Sequence, residues 1–384
     1  MTPWAEGTGG FFIAEGGDSN RVLLVTARHV ISPQADNGLL QWKNSSQPRR
    51  NVIALSPTTF SSYIQSIEVR IDETVDNIQF QQDRVDGATT ELSSTDDPAL
   101  TTTHAALLTT AQDTLKDLRA LEQQLRALHQ QLLAEWSNPD DRIIGHVVYS
   151  PPISVGSSPE GFCEDWPLSR SIPTRLTLSS SYDQAAFKKL MYANPKNFPS
   201  FKYPLDDLLK LEGTIPEKEM THPSQLDEDG EGCLVVIKRG LATGPVGRAS
   251  GLFSFTRIYR GAAGSTPPPK TAKEWAVLAY NSKSQPFSRA GDSGSVVVDG
   301  RGRVGGLLTG GTSREENLAC DISYATPVEF LFNRMKLLQA MHNYANFTEP
   351  WIAHPKSPQA HDSPPTSSSV YRPPVPDTTD TYTT

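Results

Sequence analysis

The chain has 384 residues, an apolar fraction of 37% and 30 prolines, so part of it is expected to lie outside a packed core. A formal net charge of -8 gives no support to a nucleic-acid or anionic-membrane partner. Three cysteines, Cys163, Cys233 and Cys320, are too few and too widely spaced for a disulfide framework or a zinc site. We therefore expect neither a metal nor a cofactor.

The first residues lack the basic segment and continuous apolar stretch of a secretion signal, and no stretch predicts a membrane span. The sequence thus predicts an intracellular protein. A strand begins within the first ten residues, which is consistent with a longer natural N-terminus.

Two strands joined by a glycine-rich turn are predicted next. Gly9–Ile13 form the first and Arg21–Thr26 the second, which leads directly into His29. Further short apolar runs separated by Gly, Pro and Asp predict an all-β protein. They lie at Asn51–Leu55, Ile67–Ile71, Ile143–Tyr149, Cys233–Lys238, Gly251–Tyr259, Trp275–Tyr280, Ser295–Val298 and Val304–Leu308.

One segment, 98–136, interrupts this pattern because it has no interior proline or glycine. With Asp96 or Asp97 as N-cap and Pro98 as first residue, it predicts a long helix. Its apolar residues recur in steps of four and three, at Leu107, Ala111, Thr114, Leu118, Leu121, Leu125, Leu128 and Leu132. Such a stripe can lie on the sheet, fold back in a hairpin, or join two copies of the chain, and these alternatives stay open.

The end of the chain divides into two parts. Pro327–His342 predicts an amphipathic helix that closes the fold. Residues 350–384 are rich in Pro, Ser and Thr and are expected to be disordered.

The strongest signal of chemistry is Ser293, within Ala-Gly-Asp-Ser-Gly-Ser at 290–295 and directly before an apolar strand. A tight turn of this kind can present the hydroxyl while neighbouring N–H groups converge on one point. A serine hydroxyl needs an imidazole to take its proton, and His29 lies at the end of a strand that could hold one rigidly. Taken alone, the serine motif also fits an ordinary polar turn, and the histidine also fits a structural role.

Together, Thr-Ala-Arg-His at 26–29 and Gly-Asp-Ser-Gly at 291–294 resemble the trypsin/chymotrypsin-like serine peptidase family. The glycines at 7–10, Val-Gly-Gly-Leu-Leu-Thr-Gly at 304–310 and Ser-Tyr-Ala-Thr-Pro at 323–327 resemble its opening, pocket-lining and last strands. Within the family, the chain looks closest to uncharacterised fungal trypsin-like proteins with a helical insertion. The resemblance covers about 7–342 but does not explain about 44–140.

The resemblance implies two antiparallel six-stranded β-barrels with the active site between them. The first barrel would span 7–166 with the helical insertion at 98–136, followed by a connection at 167–230 and by the second barrel and C-terminal helix at 231–342. It further implies a serine endopeptidase that acts on polypeptides through an acyl-enzyme. Ser293 would be the nucleophile and His29 the general base, and the N–H groups of Gly291 and Ser293 would form the oxyanion hole.

The carboxylate that orients the histidine is implied at Asp165, in Cys-Glu-Asp-Trp at 163–166. In the family an aspartate opens a short apolar strand, but here Pro167 and then Leu-Ser-Arg-Ser follow. That change would interrupt the strand or indicate an error in the gene sequence over about 167–181. Asp183, or no aspartate at all, are the alternatives. An inactive peptidase fold that serves as a binding module, or as a scaffold organised by the helix, is therefore the second candidate function.

The resemblance also implies a substrate pocket formed by Phe287, Leu308, Thr309 and Gly310. A phenyl ring at the base of the pocket disfavours a substrate Lys or Arg, because these side chains need a buried acid. It allows a small or apolar side chain, or no deep pocket at all. Asp292 would pair with a cleaved N-terminal amine in the family. No cleavage site is evident here, so Asp292 is expected either to bond another donor or to stay solvated.

Two further polar features are interpreted as structural. The acidic run at 227–231 lacks the ligand spacing of a calcium loop and predicts a solvated turn. His146 lies within a predicted strand and is expected to be structural.

Overall fold

The computed structural model of this chain describes residues 6–16, 19–32, 36–95, 97–171, 188–189, 191–192, 194, 196–197, 209–240, 246–258, 270–312 and 322–342. Most of them lie in two antiparallel β-sheets and in two long helices inserted into the first sheet. Asp96, Asp183, Cys320 and the predicted tail at 350–384 lie outside the described residues.

The first sheet contains six strands: β1 (Phe11–Gly16), β2 (Ser19–Val25), β3 (Leu40–Gln41), β4 (Asn51–Ile53), β5 (Ile143–Ser150) and β8 (Leu168–Ser171). A short hairpin of β6 (Ser154–Val155) and β7 (Cys163–Glu164) lies between β5 and β8 in the chain. The spatial order is β1–β2–β8–β5–β3, and β4 also pairs with β5. Alternate residues of β1 and β2 share one face, so Phe11, Ile13, Leu23 and Val25 are buried in one cluster with the second sheet.

Strand β8 forms although Pro167 precedes it. It pairs with β2 and β5, and both ladders begin at Leu168, so the missing N–H of the proline removes no bond from either one. Arg170, for which the sequence predicts a core position, is exposed, whereas Leu168 and Ser169 are buried. The predicted interruption of this strand is therefore wrong. The last strand of the first sheet lies beyond residue 166, and the other domain boundaries stay predictions.

The second sheet is a closed barrel. Its strands are β9 (Gln225–Leu226), β10 (Gly232–Lys238), β11 (Val246–Ala249), β12 (Phe253–Ile258), β13 (Lys270–Ala279), β14 (Val296–Asp299), β15 (Val304–Gly311) and β16 (Ile322–Pro327). Six of them follow the path β11–β10–β14–β15–β16–β13, and the pairing of β13 with β11 closes the ring. Leu234, Val236, Trp275 and Val277 fill its interior.

The first sheet does not close in the same way. Among the described residues, β1 pairs only with β2, and β4 pairs only with β5. The prediction of two barrels is thus met by one closed six-stranded barrel and by one six-stranded sheet that does not close within the described residues.

Two long helices, α2 (Pro57–Ser94) and α3 (Pro98–Trp136), form an antiparallel hairpin between β4 and β5. The Ser56 hydroxyl accepts a hydrogen bond from the N–H of Thr59 and caps α2, and the Asp97 carboxylate accepts one from the N–H of Ala99 and caps α3. The strand predicted at Ile67–Ile71 is wrong. Its isoleucines continue a spacing of three and four along α2, which is the period of a helix face.

Most of the predicted apolar stripe of α3 is shielded from solvent: Ala111 is buried, and Thr114, Leu118, Leu121, Leu125 and Leu132 are partly buried. Ala111 and Leu115 are buried, whereas Leu107 and Leu128, which the prediction placed in the stripe, are 44% and 38% exposed. Ion pairs and hydrogen bonds join Glu68 to His129, Gln82 to Arg119 and Glu91 to His104. Of the alternatives that the sequence left open, the hairpin is the arrangement found, and self-association through α3 stays a prediction.

The shorter helices within the described residues include α1 (Arg28–Ile31), α4 (Glu217–Thr221) and α5 (Val328–His342). Val328, Leu331 and Met335 of α5 are buried in the core shared by the two sheets, and Phe332 meets Phe11 edge-on at 5.9 Å. Within the described part of the chain, no helix combines the length and the apolar character that crossing a membrane requires.

Candidate active site

His29 and Asp165 are in direct contact although 136 positions separate them. Nδ1 of His29 lies 2.5 Å from Oδ2 of Asp165, and the backbone N–H of His29 donates to Oδ1 at 3.0 Å. The aspartate side chain is 7% exposed and the histidine side chain 24% exposed. A buried carboxylate therefore holds the Nδ1 edge of the imidazole ring, while part of the ring remains accessible to solvent.

The position of His29 depends on its neighbour Arg28, which the sequence analysis did not single out. Its guanidinium is 1% exposed and donates to the carbonyl and hydroxyl oxygens of Ser150 at 3.0 and 2.7 Å. It also donates to the carbonyls of Asp36 and Gly38. Burial lowers the pKa of Arg28, and the charge of Asp36 opposes that shift. Two of these four bonds join α1 to the end of β5 and two join it to the loop at 36–38, and together they fix the backbone of His29.

Asp165 follows β7 and is held by bonds on both sides. Its own carbonyl accepts from the N–H of Arg28 at 3.3 Å. The preceding residue, Glu164, is buried and pairs with Arg334 at 2.9 Å. The hydroxyl of Thr326 on β16 donates to the carbonyl of Cys163 at 3.1 Å. The aspartate is therefore held between the first sheet and the strands of the second.

Ser293 lies in a tight turn between β13 and β14. Gly291 and Gly294 flank it with φ of 96° and 92°, values that side chains of L-residues rarely adopt. A Cβ on Gly294 would also lie 2.2 Å from the Thr26 hydroxyl and 2.3 Å from the Thr8 carbonyl oxygen. This glycine is required both by its backbone conformation and by the close approach of the first sheet.

The turn at 291–294 packs directly on the backbone that precedes His29. The N–H of Thr8 donates to the carbonyl of Ser293 at 2.8 Å, and the Thr26 hydroxyl donates to the carbonyl of Thr8 at 2.7 Å. A Cβ on Gly294 would be 3.0 Å from the N atom of Ala27. The tertiary structure thus brings the two sequence motifs, at 26–29 and 291–294, against each other.

The backbone donors of this turn fall into two groups. The N–H groups of Asp292, Gly294 and Ser295 donate to backbone carbonyls at 2.7–3.0 Å. Those of Gly291 and Ser293 donate to no group among the described residues. Two free donors, on alternate residues of one tight turn, can receive an oxygen atom of a bound ligand.

Asp292 forms an ion pair with a buried lysine. Nζ of Lys238 on β10 lies 2.9 Å from Oδ2 of Asp292, and both side chains are fully buried. The same carboxylate oxygen accepts from the N–H of Arg289 at 3.1 Å. Burial lowers the pKa of Lys238, and its bond to Asp292 opposes that shift. The sequence predicted either another donor or solvation for Asp292 but did not identify Lys238, which appears there as one residue of an apolar strand.

A second buried carboxyl lies near Asp165. Trp275 and Val277 of β13 point into the barrel, so Glu274 points outward toward the first sheet, where it is 5% exposed. Its Oε2 is buried without a hydrogen-bond partner among the described residues. Next to it, the N–H of Lys273 donates to the carbonyl of Gly161 at 2.7 Å. Burial, and then the charge of Asp165, raise the pKa of Glu274 to about 8.

The predicted pocket residues occupy two environments. Phe287 and Leu308 are each 1% exposed and belong to the core of the barrel. Thr309 and Gly310 are partly exposed on β15, and a Cβ on Gly310 would meet nothing within 4 Å. The adjoining Leu308 pairs with the nucleophile turn, since its carbonyl accepts from the N–H of Gly294 at 2.7 Å. The open face of the predicted pocket is therefore on Thr309 and Gly310.

The remaining polar features are structural. Oδ1 of Asp227 accepts from the N–H groups of Asp229 and Glu231, and its Oδ2 pairs with Arg248, so this acidic run forms a turn between β9 and β10. His146 is buried, with Trp42 edge-on at 4.6 Å, and burial lowers its pKa. Cys163 and Cys233 are buried and are not joined in a disulfide. The described residues contain no cluster of His, Cys, Asp and Glu that could hold a metal ion.

No protein-family model and no curated protein matches this sequence. Among solved structures, the chain is similar to a chymotrypsin from Cellulomonas bogoriensis, with a TM-score of 0.26, and to the Nocardiopsis protease NAPase, with a TM-score of 0.28. Each is 14% identical and aligns with 50% of this chain, and the alignments cover 73% and 72% of those two chains respectively. This similarity is partial.

Proposed function

We propose that this protein is a serine endopeptidase with Ser293 as nucleophile, His29 as general base and Asp165 as the residue that orients the histidine. The observation that carries the proposal is the double contact between Asp165 and His29, at 2.5 and 3.0 Å. It lies beside a turn whose serine is flanked by two glycines with positive φ. The sequence similarity of both motifs to trypsin-like peptidases points to the same chemistry.

In this mechanism each residue has a separate task. Asp165 accepts the Nδ1–H of His29, which leaves Nε2 unprotonated and able to take the proton of the Ser293 hydroxyl. The serine oxygen then attacks the carbonyl carbon of a peptide bond and a tetrahedral intermediate forms. Protonated His29 gives its proton to the leaving amine as the acyl-enzyme forms. A water molecule, deprotonated by the same imidazole, then releases the acid and restores Ser293.

The free N–H groups of Gly291 and Ser293 support an oxyanion hole. Their donors are unused among the described residues, whereas the three other N–H groups of the turn are bonded internally. Donors that are held in place before the reaction stabilise the developing oxyanion by about 3–4 kcal/mol. The bonds of Thr8 and Leu308 to this turn keep its backbone in position.

The buried pair of Lys238 and Asp292 supports an enzyme that needs no proteolytic activation. In the family that the sequence resembles, Asp292 would wait for an N-terminal amine released by cleavage. Here an internal ammonium already contacts its carboxylate at 2.9 Å. The turn at 291–294 can therefore adopt its conformation in the uncleaved chain.

For the substrate, we propose a peptide with a small or apolar side chain before the scissile bond. Phe287 lies beneath β15 in the barrel core, and its ring is 5.4 Å from the ammonium of Lys238. A Lys or Arg side chain of the substrate would meet an apolar floor there, and the carboxylate of Asp292 is already paired with Lys238. Chromogenic peptides test this preference, and equal rates on lysine-ending and alanine-ending peptides would contradict it.

A fluorophosphonate probe tests the catalytic proposal because it reacts only with an activated serine. Wild-type protein should be labelled on Ser293, and Ser293→Ala should abolish the label. Ser282→Ala, which changes an exposed serine nearby, is the matched control and should be labelled like the wild type. Asp165→Asn should slow labelling by about 10³- to 10⁴-fold because it disturbs the tautomer of His29.

The outcomes separate the two candidate functions. Folded wild-type protein that does not react with the probe would refute the enzyme proposal and favour a binding or scaffold role. Labelling that persists in Ser293→Ala would assign the nucleophile elsewhere.

A further inference from the structure

The free ends of the first sheet face a common cavity. Its volume is about 990 Å³, and residues from both ends line it. One wall is residues 6–10 and Phe12, at and before the start of β1, and the other is residues 47–56, around β4. We call the space between these two walls the seam. Neighbouring strands in a sheet lie about 4.8 Å apart, and β1 and β4 are not paired across this space among the described residues.

The floor of the seam is apolar. Between its walls lie the side chains of Leu24, Ile31, Leu40, Ile144 and Val147. Phe12, Val52 and Ile53 also line it and are only partly buried. Leu24, Ile31, Ile144 and Val147 are only 4–8% exposed, so the accessible apolar surface of the seam is on the partly buried residues Phe12, Leu40, Val52 and Ile53.

The backbone of β4 is available on the seam side. The carbonyl of Arg50 accepts from the N–H of Val147, and the N–H of Ala54 donates to the carbonyl of Arg142, each at 2.9 Å. Backbone groups of an antiparallel strand alternate between its two sides. The N–H and C=O groups of Asn51 and Ile53 therefore point away from β5, toward the seam.

We propose that the seam binds an extended peptide segment of another polypeptide, which adds a strand between β1 and β4. Unpaired strand edges are templates for such addition, and backbone hydrogen bonds would supply most of the affinity. The wall at residues 6–12 is seven residues long, which is about 20 Å of extended chain. Alternate side chains of the guest would enter the apolar floor, and the others would face water. The guest therefore alternates apolar and polar residues over five to seven positions.

The positive charge of Arg49 would orient the bound peptide in the seam. Arg49 lines the seam, is exposed and lies over the ring of Trp42 at 5.7 Å. Its guanidinium forms no ion pair within the described residues. A carboxylate at one end of the guest peptide would form an ion pair with this guanidinium. Arg50 beside it already bonds Ser32 and pairs with Asp36, so it is not the free cation.

A designed peptide tests the proposal on the intact chain. The probe is fluorescein-labelled acetyl-Val-Thr-Val-Thr-Val-Glu-amide, whose valines alternate with polar residues and whose glutamate can meet Arg49. Fluorescence anisotropy should show saturable binding with a dissociation constant below about 100 µM. Two control peptides carry N-methyl groups, one on the valines and one on the threonines. Each control lacks the donors for one wall of the seam, so both should bind at least about tenfold more weakly.

Two measurements locate the binding. Bound peptide should slow amide hydrogen exchange at Asn51 and Ile53 by at least about tenfold, with little change on α3. Arg49→Glu should weaken binding of the glutamate peptide by about two- to fivefold, and a peptide that ends in lysine should bind this variant with the original affinity.

Three results would overturn the proposal: no saturable binding, equal binding of the N-methylated peptides, or binding without protection of the β4 amides. Equal binding of the N-methylated peptides would identify the seam as a pocket for apolar molecules instead. None of these results depends on the activity of Ser293, so they leave the proposed peptidase function untouched.

Discussion

Glu274 offers a quantitative test of how the barrel packs against the first sheet. Its carboxyl is 5% exposed, its Oε2 has no hydrogen-bond partner among the described residues, and its pKa is raised from 4.5 to about 8. Between these two values the folded protein keeps a proton that the unfolded chain releases. Stability should therefore fall as the pH rises, by up to about 1.4 kcal/mol per pH unit.

The direction of this change in stability and its pH limits follow from the two pKa values of Glu274, 4.5 in the unfolded chain and about 8 in the folded protein. Below pH 4.5 the carboxyl is protonated in both states, and the full stability is present. As the pH rises to about 8 the accumulated loss reaches the order of 4–5 kcal/mol, and above pH 8 it stays constant. Glu274→Gln removes the proton exchange and should remove this part of the slope.

Urea unfolding at each pH from 5 to 9 measures the effect. The free energy of unfolding of Glu274→Gln, relative to wild type, should increase with pH up to about 8 and then level off. Glu160→Gln, at an exposed glutamate of the neighbouring segment, is the control and should follow the wild-type curve. Parallel curves for wild type and Glu274→Gln would refute the reasoning, because they would mean that Glu274 is solvated or paired in the folded protein.

The same substitution should change the pH profile of the site. Above pH 8, ionised Glu274 adds a second negative charge near Asp165, and that charge favours the imidazolium that forms on His29 in the transition state. Labelling of Ser293 should therefore rise about two- to tenfold through pH 8 in wild type but stay level in Glu274→Gln. A fall in wild-type labelling through pH 8 would contradict this electrostatic argument.

Other substitutions test the nucleophile turn and the helical hairpin. Lys238→Met should cost about 3–5 kcal/mol in urea unfolding because Asp292 would stay buried without its cation, and Asp292→Asn in the same chain should recover part of the loss. An unchanged midpoint would show that the pair is solvated. Gly294→Ala should lower labelling of Ser293 by about tenfold or more, since a side chain at φ 92° would displace the turn, and wild-type labelling would contradict the geometry. Leu115→Ala should cost about 2–3 kcal/mol and Leu107→Ala less than about 0.5 kcal/mol, whereas equal costs would refute the register of α3.

The local motifs of the site could be found from the sequence because their chemistry is local. A serine between two glycines specifies a tight turn, and a histidine after an apolar strand is held by the strand's own burial. The sequence also named Asp165, but it could not decide whether a strand follows. The answer depends on whether β2 and β5 form backbone hydrogen bonds with residues 168–171. Such pairing between distant strands cannot be predicted from local sequence propensities.

Residues that act across the two sheets could not be found in this way. Arg28, Lys238 and Glu274 each appear in the sequence as one charged residue in or beside an apolar run. Their roles arise from partners that lie far away in the chain, at Ser150, Asp292 and Asp165. The catalytic roles of His29, Asp165 and Ser293 stay predictions until the labelling experiment is done.

The helices show the same division between local and distant causes. A period of three and four residues predicts a helix at 98–136, and α3 has those limits. Which side of α3 is buried depends on α2, which packs against it: Ala111 and Leu115 are buried, and Leu107 is 44% exposed. Sequence by itself therefore determined the elements and the turns that carry the chemistry. Only the tertiary structure decided which faces are buried and which distant charges meet, because burial and pairing are properties of the assembled chain.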